Sequence, residues 1–315
     1  MDKVLQVIVV GELNVDLILN RIDGFPEVGK EKLAGDMTLT LGSSSAIFAS
    51  NLSSLGTKVS FLGKIGDDSF ADLVIQSLTS KNVLTDLIIR DRDLKTGATI
   101  VLNYDNDRAM ITHTGAMEKL TVDDVSEEKL STASHLHFSS YFLQPGIRND
   151  VPKMFARAKS LGLTTSFDAQ WDPDEKWDID LKAILPNVDV FLPNLQELLN
   201  LTGAKTIDEA CKNIQDDAHI VAIKMGKTGS VVFANGIKIM KEAFLNRHVV
   251  DAIGAGDSFN AGFVHKYING ASIEECQTFG NLIGAISTTA AGGTTAFRDH
   301  DSIVQTAKEY FGYSF

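Results

Sequence analysis

The feature that most constrains this chain is a series of short, unbroken apolar runs separated by stretches of helical spacing. The runs cover residues 4–10, 59–62, 135–138, 164–167, 188–192 and 220–225. Each is too short for a core helix and lacks the alternation of a half-exposed strand, so each reads as a strand buried on both faces. Between them, residues 70–78, 151–161 and the segment from 184 onward carry apolar positions at helical spacing. Strands alternating with helices predict an α/β fold, a mostly parallel central sheet between two helical layers. Further on, residues 258–268, 273–290 and 302–311 read as helices. The glycines and alanines of the middle one predict close packing against a neighbour.

Two stretches break the rhythm. Residues 32–41 and 98–112 alternate in polarity, and Asp105-Asn106-Asp107 between strand-like arms is a hairpin signal. Either these are ordinary edge hairpins, or together they form a small second sheet acting as a lid. The expectation is one domain over residues 1–315, with lid insertions at about 12–40 and 95–115.

A chain of 315 residues, 44% of them hydrophobic, has ample material for such a core. At this length roughly three quarters of the unfolded surface is buried. Acidic residues outnumber basic ones 41 to 29, for a net charge of −12, and no basic block interrupts them. Nucleic acid and anionic membranes are therefore not expected partners. Cys211 and Cys276 suggest neither a disulfide framework nor a cysteine-based zinc site. No apolar run approaches the roughly 18 residues of a membrane helix. The start of the chain reads as a first strand and not as a signal peptide, and a reduced, cytoplasmic setting is expected.

The most informative segment is Asp251-Ala-Ile-Gly254-Ala255-Gly256-Asp257-Ser-Phe259-Asn-Ala-Gly262. It follows Val249-Val250 and opens a helix. Gly254 and Gly256 allow a tight turn with N–H groups pointing outward, and the helix start adds unsatisfied N–H groups and a positive dipole end. The product is a cradle for phosphate oxygens. Asp257 in that first turn is either a helix cap or a base that takes a proton from an attacking hydroxyl. Its position predicts an ionised carboxylate at neutral pH. The dinucleotide-binding fingerprint would need a small third residue where Phe259 stands. Gly226-Lys227-Thr228 lacks the first glycine of a P-loop, because position 221 is valine, and Gly226–Gly229 reads as a hairpin turn between strands.

Asp251-x-x-Gly254-Ala255-Gly256-Asp257-x-Phe259 resembles the C-terminal signature of the ribokinase-like (phosphofructokinase-B) sugar kinases. Gly42-Ser-Ser-Ser-Ala46, Leu55-Gly56 and Gly63-x-x-Gly66-Asp67-Asp68-x-Phe70 resemble its N-terminal counterpart, and Pro193-Asn194-x-x-Glu197 a third motif. The resemblance implies a ribokinase-like three-layer fold with a β-sheet lid, and ATP-dependent phosphorylation of a hydroxyl on a small sugar such as ribose or fructose. It implies Asp257 as catalytic base, with Gly254, Ala255 and Gly256 as anion hole. Asn14, Asp16, Gly42 and Ser43 would bind the acceptor. Asn194, Glu197, Gly226, Gly229 and Asn281 would serve the nucleotide, with Glu197 holding Mg²⁺ through water. Asp251 would match a K⁺ ligand of some members. A homodimer paired through the lid is also implied.

The chain departs from the pattern in places. Ser43 stands at a glycine position of the first motif and Ile47 at an asparagine position. Asp168-Ala-Gln170-Trp171-Asp172 lacks the arginine seen in kinases of acidic sugars. His135-x-His137 is read as two polar strand residues more readily than as a metal pair. Trp171 and Trp177 are read as packing, and residues 172–176 as a solvated charged loop. The rival functions are a nucleoside kinase of the same family and a dinucleotide-binding oxidoreductase.

Overall fold

The computed structural model describes residues 6–104 and 107–314. Its main sheet has eight strands, in the spatial order Ile237–Lys241, Ser230–Ala234, Ile220–Lys224, Val190–Phe191, Thr164–Asp168, His135–Ser139, Gln6–Val10 and Lys58–Leu62. The first two pairings in that order are antiparallel, and all the others are parallel. Every expected strand is present. Val4 and Leu5 of the first run lie outside the described residues.

The strand Gln6–Val10 shows why its run is unbroken. Ile8 and Val10 enter the core on one face, and Val7 and Val9 the core on the other. Side chains alternate across a strand, so a strand covered on both faces must be apolar at every position. Helix Val151–Ser160 packs on the first face, and helices Ser44–Ser54, Ser69–Ser80 and Ala255–Ile268 on the second.

Helices Ala255–Ile268 and Ile273–Ser287 approach closely, as the glycines predict. A Cβ on Gly262 would lie 2.8 Å from Ile283 Cγ1, and one on Gly280 would lie 3.0 Å from the Phe259 ring. The bulk of Phe259 is thus accommodated by a glycine on the facing helix. The helical pattern from 184 onward is not realised. Helix Leu181–Ile184 is one turn, followed by the 3₁₀ turn Leu185–Asn187. Pro186 lacks the N–H that would continue the helix, and its ring crowds the preceding turn.

A second sheet of four strands has the order Ala34–Leu41, Asn14–Ile22, Gly97–Tyr104 and Asp107–His113. The two alternating insertions do share one sheet, but a strand between them, Asn14–Ile22, joins them. The hairpin is confirmed by the pairing of Tyr104 with Asp107, while Asp105 and Asn106 lie outside the described residues. Register separates the sheet's two faces. Leu39, Leu17, Ile100 and Ile111 form one cross-strand row on the outer face. Thr40, Asp16, Thr99 and Thr112 form the neighbouring row, which faces the main body.

Candidate active site

A cavity of about 960 Å³ runs from the inner face of the small sheet, past the Gly254–Asp257 turn, to Asn281 and Thr288. It opens above the C-terminal ends of parallel strands, where α/β sheets leave room for ligands.

At one end stand Asn14 and Asp16. The Asn14 amide donates to Asp16 Oδ1 at 3.1 Å and to Thr99 Oγ1 at 2.9 Å. Burial pushes the Asp16 carboxyl up to about 6, against the pull of the Asn14 hydrogen bond and the Arg108 charge. Gly42 makes room for this group, since a Cβ there would lie 2.2 Å from Asp16 Oδ1. Ser43 has φ +71°, a left-handed conformation that glycine adopts without cost. A buried partner holds it there. Ser43 Oγ donates to the Glu12 carbonyl at 2.6 Å and accepts from Ala46 N at 2.9 Å. The Glu12 carboxylate is tied to Ser43 Oγ at 3.0 Å, to Ser45 N at 3.2 Å and to Ser45 Oγ. Burial raises the Glu12 carboxyl despite these bonds. Ile47 presents methyl groups to the turn, and a Cβ on Gly254 would lie 3.1 Å from its Cγ2.

The Gly254 turn sits mid-cavity. Gly254 has φ +73°, and a Cβ there would lie 2.7 Å from Gly293 Cα, so this position requires glycine. Helix Ala255–Ile268 starts here with no side-chain cap. Asp257 is therefore not the helix cap. Its Oδ1 accepts from Gln170 Nε2 at 3.0 Å. The ionised form is less favoured than a helix start alone would make it. Burial pushes Asp257 up to about 7, with Lys224 pulling down and Asp168 and Glu12 pushing further up. Desolvation and neighbouring carboxylates outweigh the helix dipole.

Below Asp257 lies a hub that the sequence reading missed. Asp168, at the end of strand Thr164–Asp168, is fully buried. Its Oδ2 accepts from Lys224 Nζ at 2.6 Å, Asn260 Nδ2 at 2.6 Å and Gln170 Nε2 at 2.9 Å. Burial works against the Lys224 charge, but Asp168, Glu197 and Asp257 hold its proton more firmly than in water. The only sequence signal for Lys224 was a cation closing an apolar strand. Asp172 also departs from expectation. It is buried, and its carboxylate accepts backbone N–H groups from Asp174, Lys176 and Trp177, so residues 172–176 form an ordered turn. Trp177 packs edge-on against Phe142 and Trp171, while Trp171 itself lines the cavity.

The far end gathers the remaining expected residues. Asn194 and Glu197 form a reciprocal cap on helix Leu195–Thr202, with both bonds at 2.8 Å. Burial and the Asp168 charge raise the Glu197 carboxyl. Its other oxygen makes no hydrogen bond among the described residues, which leaves one carboxylate oxygen beside the cavity. Such a donor, completed by water, suits Mg²⁺, which keeps much of its hydration shell. Gly226 and Gly229, at φ +57° and +101°, shape the turn between Ile220–Lys224 and Ser230–Ala234 and line the cavity with Asn281. Asp251 accepts N–H groups from Ile253 and Gly292, both at 2.9 Å, stapling two loops together. The segment before the glycine turn is irregular, with Val249 and Val250 each 61% exposed, so the strand that a dinucleotide fingerprint requires is missing there. His135 and His137 share Ser166 Oγ at 2.8 Å each, and burial keeps both neutral. The described residues hold no cluster of three or more His, Cys, Asp or Glu suited to a metal, and no helix among them is long and apolar enough to cross a membrane.

Known proteins resemble this chain in sequence and fold. The pfkB family carbohydrate kinase model matches residues 4–300. A protein of Archaeoglobus fulgidus named an uncharacterized sugar kinase is 30% identical over 238 residues, covering 74% of this chain and 92% of its own. An ATP-dependent ribose-1-phosphate kinase of Halopiger xanaduensis is 27% identical, covering 92% and 94%. The structure of Arabidopsis thaliana ribokinase complexed with ribose and ATP superposes with a TM-score of 0.82 at 23% identity, over 96% of this chain and 99% of that one. With the family model matched over nearly the whole chain, the chain belongs to the pfkB family of carbohydrate kinases.

Proposed function

We propose that the protein transfers the γ-phosphoryl group of ATP to a hydroxyl of a small sugar held by Asn14, Asp16 and Gly42. The observation that carries this reading is one continuous cavity with a carboxylate–amide pair at one end, a glycine turn in the middle and the Asn194–Glu197 cap beyond it. Asp16 accepts acceptor hydroxyls, and Asp257 collects the proton of the reacting one. The N–H groups of the turn stabilise charge on the phosphoryl oxygens. Bound Mg²⁺, held through water at Glu197, would neutralise phosphate charge. A coupled ADP-release assay with ribose, fructose, ribose 1-phosphate and adenosine tests the reading, and no turnover with any small polyol or nucleoside would sink it.

Adenosine belongs in the panel because Val101, Met110, Met117, Leu143 and Trp171 give the acceptor end an apolar wall. That wall offers a nucleobase more than it offers a bare pentose. Potassium at Asp251 is the outermost part of the proposal, supported if KCl raises activity over tetramethylammonium chloride. A homodimer through the outer face of the small sheet is proposed from its apolar row, in which Leu39, Ile100 and Ile111 are exposed. Sedimentation of the wild type against Ile111→Asp tests it, and an unchanged mass in the variant counts against this interface.

A further inference from the structure

Lys224 closes strand Ile220–Lys224 inside the cavity, with a side chain 11% exposed. Among the described residues Asp168 is the one hydrogen-bonding partner of the ammonium, at 2.6 Å. An ammonium carries three donors, so two N–H bonds remain for the cavity. A Cβ placed on Gly256 would lie 3.7 Å from Lys224 Nζ. The ammonium therefore stands beside the first turn of helix Ala255–Ile268, whose backbone N–H groups lack intrahelical acceptors. A fixed cation and the first N–H groups of the helix converge on one spot, next to Asp257, the Ala255 N–H being already held by the Ala252 carbonyl at 3.3 Å. Asp168 is held in turn by Asn260 and Gln170, so the ammonium is anchored from behind and cannot swing freely.

We propose that Lys224 is a further catalytic residue, one that donates hydrogen bonds to the phosphoryl group during transfer, a reading that rests on the phosphotransfer proposed above. In that step the bond between the γ-phosphorus and the bridging oxygen of ATP breaks, and ADP leaves with the electron pair. The acceptor oxygen bonds to phosphorus and its proton passes to Asp257. Lys224 keeps its own protons and meets the charge gathering on the phosphoryl oxygens. A lysine that only balanced Asp168 would do none of this.

Titration calorimetry with Mg·ADP, with and without aluminium fluoride as a mimic of the phosphoryl group in flight, separates the two roles. Lys224→Met is expected to bind Mg·ADP within a few fold of wild type. It should lose about 100-fold of the tightening that aluminium fluoride brings, and turnover should fall about 100- to 1,000-fold, the usual worth of one such donor. Lys224→Arg should recover part of both. Lys224→Met alone leaves Asp168 buried without its charge partner. The double variant Lys224→Met/Asp168→Asn removes both charges, and it should show the same loss of tightening in a folded protein. Wild-type tightening in either Met variant overturns the role of Lys224 and leaves phosphotransfer standing. A wild type that does not bind Mg·ADP overturns phosphotransfer, and Lys224 with it.

Discussion

Gln170 Nε2 donates to Asp257 Oδ1 at 3.0 Å. The same nitrogen donates to Asp168 Oδ2 at 2.9 Å, so one neutral amide separates two buried carboxylates. It favours the ionised form of Asp257 against burial and against Asp168, which both disfavour it.

This contact sets a pH dependence. Asp257 can take a proton only when ionised, and its carboxyl sits at about 7. Turnover should therefore fall roughly tenfold per pH unit below that value and level off above it. Gln170→Leu removes a bond to the ionised form, so the acidic limb should move to higher pH. Profiles of kcat/KM between pH 5 and 9 check this, and a limb that stays in place in the variant contradicts it.

Asp257→Asn should lower turnover by about 100- to 10,000-fold, because the amide cannot take the proton. It should also stabilise the fold. The folded-state value lies above the unfolded 3.8, so the chain takes up a proton at Asp257 on folding. The cost of the ionised group is absent near pH 4, grows through the interval and is complete above about pH 7. It is on the order of a few kcal/mol at most. Thermal melts should show the variant gaining on wild type as pH rises from 4 to 8. A folded Asp257→Asn protein with near-normal turnover would remove the residue from the mechanism.

Gly42→Ala and Asp16→Ala should share one phenotype. The added Cβ would lie 2.2 Å from Asp16 Oδ1, so the carboxylate must leave its place. Both variants should raise the acceptor KM at least about tenfold, the cost of losing one hydrogen bond to a charged group, with ATP affinity nearly intact. An unchanged acceptor KM in Asp16→Ala would show that the acceptor binds elsewhere.

Glu197→Gln keeps the reciprocal cap with Asn194, because Gln serves at that position too. Folding should survive, while the Mg²⁺ concentration for half-maximal turnover rises and turnover falls. Magnesium titrations of both proteins read the shift. A curve superimposable on wild type would mean that Glu197 only caps its helix.

Much of this was legible in the sequence because its causes are local. Strands such as Gln6–Val10 announced themselves by apolar runs, since two covered faces leave no polar position. Gly254 and Gly256 marked a tight turn, and Asp257 stood out because of the turn that carries it. The tertiary structure alone decided what meets what. Asp168, Gln170, Lys224 and Asn260 come from two strand ends, a loop and a helix, with spacings that carry no pattern, and only the folded layers bring the other three within 3 Å of the Asp168 carboxylate. Protonation was decided there too. A helix start favours an ionised Asp257, but burial beside Asp168 and Glu12 reverses that preference, and burial exists only once the chain has folded.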